Sequence, residues 1–277
     1  MPRSLDLNSA ATLPGGVRMP YFGLGVWQAE KGAQTREAVR AALALGYRHI
    51  DTARAYGNEE DVGAAIRDSG VPREEVFVVT KLWNKDHGYD QALEAFEKSN
   101  RRLGLGYVDL YLIHWPVEGL RGDTWRAFEK LLRDGACRAI GVSNYTTRHL
   151  QELLDTAQTP PAVNQVEFHP FLYQRQLLEY CRGKGIQLEA YSPLVQGRKF
   201  DDPVIQDIAR MHARTPAQVM IRWCLEHEVV VIPKSVNRQR LEENARVFDF
   251  ALDADDMARL DGLDEGLRVC WDPTDAR

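Results

Sequence analysis

Residues 76–114 read VFVVTKLWNKDHGYDQALEAFEKSNRRLGLGYVDLYLIH, and this stretch holds one full repeat of the chain's organisation. It opens with a short, continuously apolar run rich in β-branched residues, 76–81. Strands covered on both faces have that composition, and strands of parallel sheets are covered on both faces. The segment 89–103 changes period: Leu93, Phe96 and Leu103 fall on one face of a helix. Gly104 stands where that helix should stop, because glycine takes the left-handed C-terminal turn at little cost. A second apolar run, 108–114, then follows. Strand, helix and strand in this order make a βαβ unit, which requires parallel strands.

The same alternation extends in both directions. Further strands are predicted at 21–25, 47–51, 137–143, 162–167, 186–191 and 229–233. Further helices are predicted at 34–45, 59–68, 124–133, 146–155, 174–182, 215–226 and 238–248. Gly46, Gly70 and Gly135 mark other helix ends. Asn58, Asp123 and Thr215 occupy N-cap positions, with Pro216 at the first helical position. Eight strand–helix pairs fill the chain, so the predicted class is α/β, a (β/α)8 TIM barrel, with residues 1–277 as a single domain. A hairpin over 4–18 is expected to close the barrel floor. An extra helix over 253–263 is expected to lead into a C-terminal tail.

Composition narrows the partners. The chain has 277 residues, 44% hydrophobic and 27% charged, with a formal net charge of −5. An acidic balance argues against nucleic acid and anionic membranes. No apolar run reaches the ~18 residues that span a bilayer, and residues 1–8 lack a signal-peptide pattern. Cys137, Cys181, Cys224 and Cys270 fit neither a disulfide framework nor a zinc site, and read as reduced thiols of a cytoplasmic protein. No exposed apolar stripe points to an obligate oligomer, so the chain reads as a monomer.

The chemistry concentrates at the strand ends. Strand two ends in Asp51, strand three in Lys81, strand four in His114 and strand five in Ser143 and Asn144. Strand six carries Gln165, strand seven ends in Tyr191, and strand eight runs into Lys234. In barrels of this class the C-terminal strand ends build the active site. Any one of these residues is an ordinary loop-starting residue; eight of them around one rim read as a reaction centre. Gly23-Leu24-Gly25 lacks the third glycine of a dinucleotide fingerprint, and no Walker loop, G-x-S-x-G or H-E-x-x-H occurs. His49 and Asp51 share a strand face without a third ligand, so no metal is expected.

These motifs resemble those of the aldo-keto reductase family over about residues 22–244. The segments are 23–27 (GLGVW), 50–59 (IDTARAYGNE), 80–83 (TKLW), 112–116 (LIHWP), 141–145 (GVSNY), 164–167 (NQVE), 191–194 (YSPL) and 232–236 (IPKSV) with Arg240, Glu243 and Asn244. The resemblance implies NADPH as cofactor and Asp51, Tyr56, Lys81 and His114 as a catalytic tetrad. Tyr56 would be the general acid, with Lys81 lowering its pKa, Asp51 holding Lys81, and a neutral His114 orienting the substrate oxygen. Ser143, Asn144 and Gln165 would meet the nicotinamide carboxamide, with Tyr191 stacked on the ring and Ser192 and Leu194 beside it. Lys234, Ser235, Val236, Asn237, Arg240, Glu243 and Asn244 would hold the adenosine phosphates at a helix N-terminus.

Trp27, Trp83 and Trp115 would wall a substrate pocket, with Trp271 of the tail at its mouth. Only residues 115–122 separate His114 from the next helix. This short loop is similar to the compact, largely microbial branch of diketogluconate and methylglyoxal reductases, and implies small to medium carbonyl substrates. Two other readings are a non-catalytic NADPH-binding sensor and a barrel isomerase without nicotinamide. The intact tetrad argues against the first, and the set of cofactor residues against the second.

Overall fold

A computed structural model describes residues 5–276. The strands are β1 (Ala10–Thr12), β2 (Arg18–Pro20), β3 (Leu24–Gly25), β4 (His49–Asp51), β5 (Phe77–Leu82), β6 (Val108–Ile113), β7 (Cys137–Ser143), β8 (Val163–Glu167), β9 (Gln187–Tyr191) and β10 (Val230–Val231). The helices are α1 (Ala33–Ala44), α2 (Glu59–Arg67), α3 (Tyr89–Leu103), α4 (Arg121–Arg133), α5 (Thr147–Leu154), α6 (Arg175–Gly183), α7 (Pro203–Met211), α8 (Pro216–Glu226), α9 (Arg238–Ala245) and α10 (Ala254–Asp261). β3 to β10 pair in parallel and in sequence order. The sheet closes on itself. Phe22 bridges Val231 and Gly25 bridges Lys234, while the Gly23 N–H donates to Val231 O at 2.9 Å.

Alternation along each strand decides which side chains enter the barrel. On β4 these are His49 and Asp51, and on β5 Phe77 and Lys81; the His49 and Phe77 rings meet at 5.1 Å. The same parity sends His114, Ser143, Gln165 and Tyr191 inward at the strand ends. The opposite face packs on the helices: the Thr80 hydroxyl donates to Glu59 of α2 at 2.6 Å. Gly23 has a packing reason as well, since a Cβ there would lie 2.7 Å from the His49 ring.

The hairpin is β1 with β2, farther along the chain than expected; Ser4, the first residue of the expected span, lies outside the described residues. Its Leu13 and Met19 are buried at the end of the barrel where the strands begin. Two expected caps do not act as caps. Asp123 lies inside α4, which starts at Arg121, and pairs with Arg126 at 2.7 Å. Asn58 precedes α2, but its side chain ties loops together, accepting from the Thr52 hydroxyl at 2.8 Å and donating to Val26 O at 3.1 Å. Thr215 does cap α8, in a reciprocal bond pattern with Gln218. Asp253 caps α10.

Helix α7 was not anticipated. Its signal is Asp202-Pro203 followed by inward Ile205, Ile208 and Ala209. The Asp202 side chain accepts from the Val204 N–H at 2.9 Å, as an N-cap should.

Candidate active site

At the C-terminal ends of the strands lies a cavity of 1390 Å³. Asp51, Tyr56 and His114 line it, with Lys81 buried directly beneath. The Lys81 ammonium donates to Asp51 Oδ1 at 2.6 Å, to Thr52 O at 2.9 Å and to Tyr56 Oη at 3.3 Å. β4, β5 and the turn Arg54–Tyr56 therefore converge on one cation. The His114 ring stands edge-on to Tyr56 at 5.8 Å and to Trp83 at 5.4 Å. Burial, and secondarily the Lys81 charge, hold the His114 pKa well below its usual range, so the imidazole is neutral.

The expected lowering of the Tyr56 pKa is not what its surroundings produce. Burial first, then the Asp51 and Glu189 carboxyls, push the phenol well above its ordinary value. Lys81 lies 2.6 Å from Asp51 and 3.3 Å from the phenol, and its attraction does not offset the burial of the hydroxyl. Tyr56 thus keeps its proton at neutral pH.

Beneath this group lies a polar layer that the sequence reading missed. The Gln165 amide donates to Asp51 Oδ2 and to Glu189 Oε2, both at 2.8 Å. Glu189 Oε1 faces His49 Nε2 at 3.3 Å, and His49 Nδ1 faces Pro20 O at 3.3 Å. A carbonyl only accepts, so Nδ1 carries the imidazole proton and Nε2 presents a lone pair. Burial lowers the His49 pKa to about 3, which excludes a second ring proton. Glu189 is therefore the protonated member of this pair, and burial raises its pKa to about 8. Burial pushes Asp51 up as well, but Lys81 and Gln165 oppose this, so Asp51 is the anion of the two. The available signal was parity: Glu189 lies two residues before Tyr191 on β9 and pairs in register with Gln165.

A carboxyl raised from 4.5 to about 8 keeps its proton in the folded chain after the unfolded chain has released it. Stability from Glu189 is therefore present below about pH 4.5 and lost as pH rises toward about 8. Glu189→Gln keeps the shape with no proton to lose. It is expected to match the wild type near pH 4.5 and to exceed it at pH 8 by a few kcal/mol, measured as denaturant midpoints at both pH values. Identical pH dependence in the two proteins would mean that Glu189 is ionised.

Ser143, Asn144 and Gln165 come together as expected, with their hydrogens already committed. Asn144, at φ +64°, donates to His114 O at 2.9 Å and to the Ser143 hydroxyl at 3.1 Å. Ser143 donates to Gln165 O at 2.8 Å. Tyr191 donates to Asn144 Oδ1 at 2.7 Å, and Ser192 and Leu194 follow it along the wall. The cluster therefore offers acceptor oxygens rather than donors. Lys234, Ser235, Val236, Asn237, Arg240, Glu243 and Asn244 line the far end of the same cavity. There the Asn237 side chain accepts the Arg240 N–H at 3.2 Å, occupying part of the α9 N-terminus. Glu243 accepts from the Thr215 hydroxyl at 2.8 Å.

Trp27, Trp83 and Trp115 all line the cavity. Trp271 reaches it too, edge-on to Trp115 at 5.3 Å. Its place is set by the buried Glu167, another residue that the reading of strand ends did not weigh. Glu167 accepts the Val269 N–H at 2.7 Å and the Cys270 N–H at 3.1 Å. Among the described residues no helix is long and apolar enough to cross a membrane.

The aldo/keto reductase family model matches residues 22–265. The chain is 54% identical over 273 residues to a glyoxal reductase of Bacillus subtilis (strain 168), covering 99% of this chain and 98% of that protein. It is 49% identical over 278 residues to a morphine 6-dehydrogenase of Pseudomonas putida, covering 95% and 94%. Among solved structures, an aldo-keto reductase from a Medee basin deep-sea metagenome library superposes with a TM-score of 0.94 at 47% identity, covering 96% of this chain and 99% of that one. With a parallel barrel and this site at its strand ends, the chain belongs to the aldo/keto reductase family and is an oxidoreductase acting on carbonyl groups.

Proposed function

We propose that this enzyme reduces small to medium aldehydes and ketones to alcohols with NADPH, on one barrel domain, and that Tyr56 supplies the proton. One observation carries the reading: a single buried ammonium, Lys81, touches both Asp51 and the hydroxyl of Tyr56, which lines the cavity.

The residues fit a nicotinamide dinucleotide. Both hydrogens of the Gln165 amide are taken by carboxyls, so its Oε1 is left to accept, as are free lone pairs on Ser143 and Asn144. That acceptor set suits the NH2 of a carboxamide. The Tyr191 ring lines the wall beside it. At the other end, Lys234 and Arg240 are exposed cations beside the first turn of α9. When bound, the dinucleotide supplies the hydride. His114, neutral, donates to the substrate oxygen and fixes its direction. Tyr56 donates its proton as negative charge develops on that oxygen. Lys81 then faces the phenolate, and Asp51 keeps the ammonium within reach of it.

Loss of NADPH absorbance against a carbonyl panel tests the reaction. Lys234 and Arg240 predict a preference for the extra phosphate, with kcat/KM for NADPH exceeding that for NADH by about tenfold or more. Arg240→Ala is expected to remove most of that preference by weakening NADPH alone. Equal or better use of NADH by the wild type would overturn the cofactor assignment. A clear preference for a steroid over small aldehydes would overturn the substrate size.

A further inference from the structure

The charged residues lining the cavity are Asp51, Glu243, Arg54, Lys85, Lys234 and Arg240. Asp51 is matched by Lys81, and Glu243 is engaged by Thr215. The lining is therefore cationic in a protein of net charge −5. Lys234 and Arg240 belong to the phosphate end. Arg54 and Lys85 do not. Arg54 opens the turn Arg54–Tyr56, and Lys85 lies in the turn Asn84–Asp86 directly after Trp83. The two turns follow β4 and β5, which are neighbours in the barrel, so both cations stand on the sector of the rim that carries Tyr56 and Trp83.

Neither side chain has a hydrogen bond or ion pair among the described residues, unlike Arg36, Arg73, Arg102 and Arg121. The other walls of this end, Trp27, Trp83, Trp115 and Trp271, are aromatic and uncharged. A carbonyl seated at Tyr56 Oη and His114 leaves the remainder of the substrate between these aromatic faces and the two cations. Among the described residues that line the cavity, the carboxylates are Asp51, paired with Lys81, and Glu243 at the phosphate end.

We infer that Arg54 and Lys85 form an anion subsite, and that the preferred substrates are aldehydes or ketones that also carry a carboxylate. This rests on the reductase reading above and names the substrate class for it. A guanidinium offers a carboxylate two parallel N–H groups, and the ammonium adds charge. Arg54 is half-buried and Lys85 exposed, so solvent and salt screen part of the attraction.

The test uses 4-carboxybenzaldehyde and its methyl ester, a pair that differs in the anion. Intrinsic reactivity of the two aldehydes cancels when their kcat/KM ratio is compared between proteins. The acid-to-ester ratio is expected to be about tenfold higher in the wild type than in R54Q/K85Q. The difference should lie in KM and shrink as salt rises from about 50 to about 500 mM. A ratio unchanged by the double substitution, or unchanged by salt, would overturn the inference. Weaker NADPH binding in R54Q/K85Q at an unchanged ratio would also overturn it, by assigning the two cations to the cofactor. No wild-type turnover of either aldehyde would overturn the reductase reading itself, and the subsite with it.

Discussion

Tyr56→Phe is expected to lower kcat by about 10²–10⁴-fold while leaving the NADPH dissociation constant within about threefold of the wild type. The substitution removes one oxygen at the end of a cavity and little else. Lys81 keeps its bonds to Asp51 and Thr52, and the ring keeps its edge contact with His114. Fold and binding should survive, so the loss falls on proton transfer. The same reasoning gives a pH profile. Tyr56 is held well above its ordinary pKa and His114 well below its own, so neither changes charge between about pH 6 and pH 9. The rate of the reduction step in single turnovers should be flat from about pH 6 to about pH 7, below the Glu189 titration near 8. A limb near pH 6.5 would indicate that His114, as imidazolium, is the proton donor. A variant that retained most of the wild-type kcat would remove Tyr56 from the chemistry altogether.

The sequence exposed the barrel because parallel strands buried on both faces are nearly pure apolar runs, and β5 to β7 are the clearest of these. It exposed β3 and β10 less well. They are two residues long here, since their role is to close the sheet through the bridges of Phe22 and Gly25. Lys81, Asp51 and His114 were legible because charged or polar residues end apolar strands there. Glu189 and Glu167 were not, although they lie on the same inner faces. A carboxyl inside a strand looks like a solvated residue until its partners are known, and those partners come from β4, β8 and the tail. The direction of the Tyr56 pKa was misjudged for a related reason. The lysine motif is visible in the sequence, but the burial of the phenol and the carboxyls that the barrel gathers near it come only with the fold. Arg54 and Lys85 were likewise invisible as a pair, because only the adjacency of β4 and β5 puts their turns side by side.

Lys81→Met carries the second large expectation, and here stability and activity should part. The ammonium is fully buried, and its partner Asp51 is 2% exposed. Removing one member of a buried ion pair leaves the other charged and uncompensated, a loss of about 3–5 kcal/mol. For a chain of this size that is a fall in melting temperature on the order of 10 °C. The stranded Asp51 would retain only the Gln165 amide as donor, so its pKa would rise further. The deficit should therefore be largest at high pH and shrink as the solution is acidified and the carboxyl protonates. Adding Asp51→Asn removes the unpaired charge. The double variant D51N/K81M should recover most of the lost melting temperature and none of the lost turnover, because Tyr56 still lacks the cation that faces its phenolate. If the double variant melts no higher than K81M, the pair is not the balanced buried charge that the geometry describes. If it turns over like the wild type, Lys81 serves the fold and not the proton transfer.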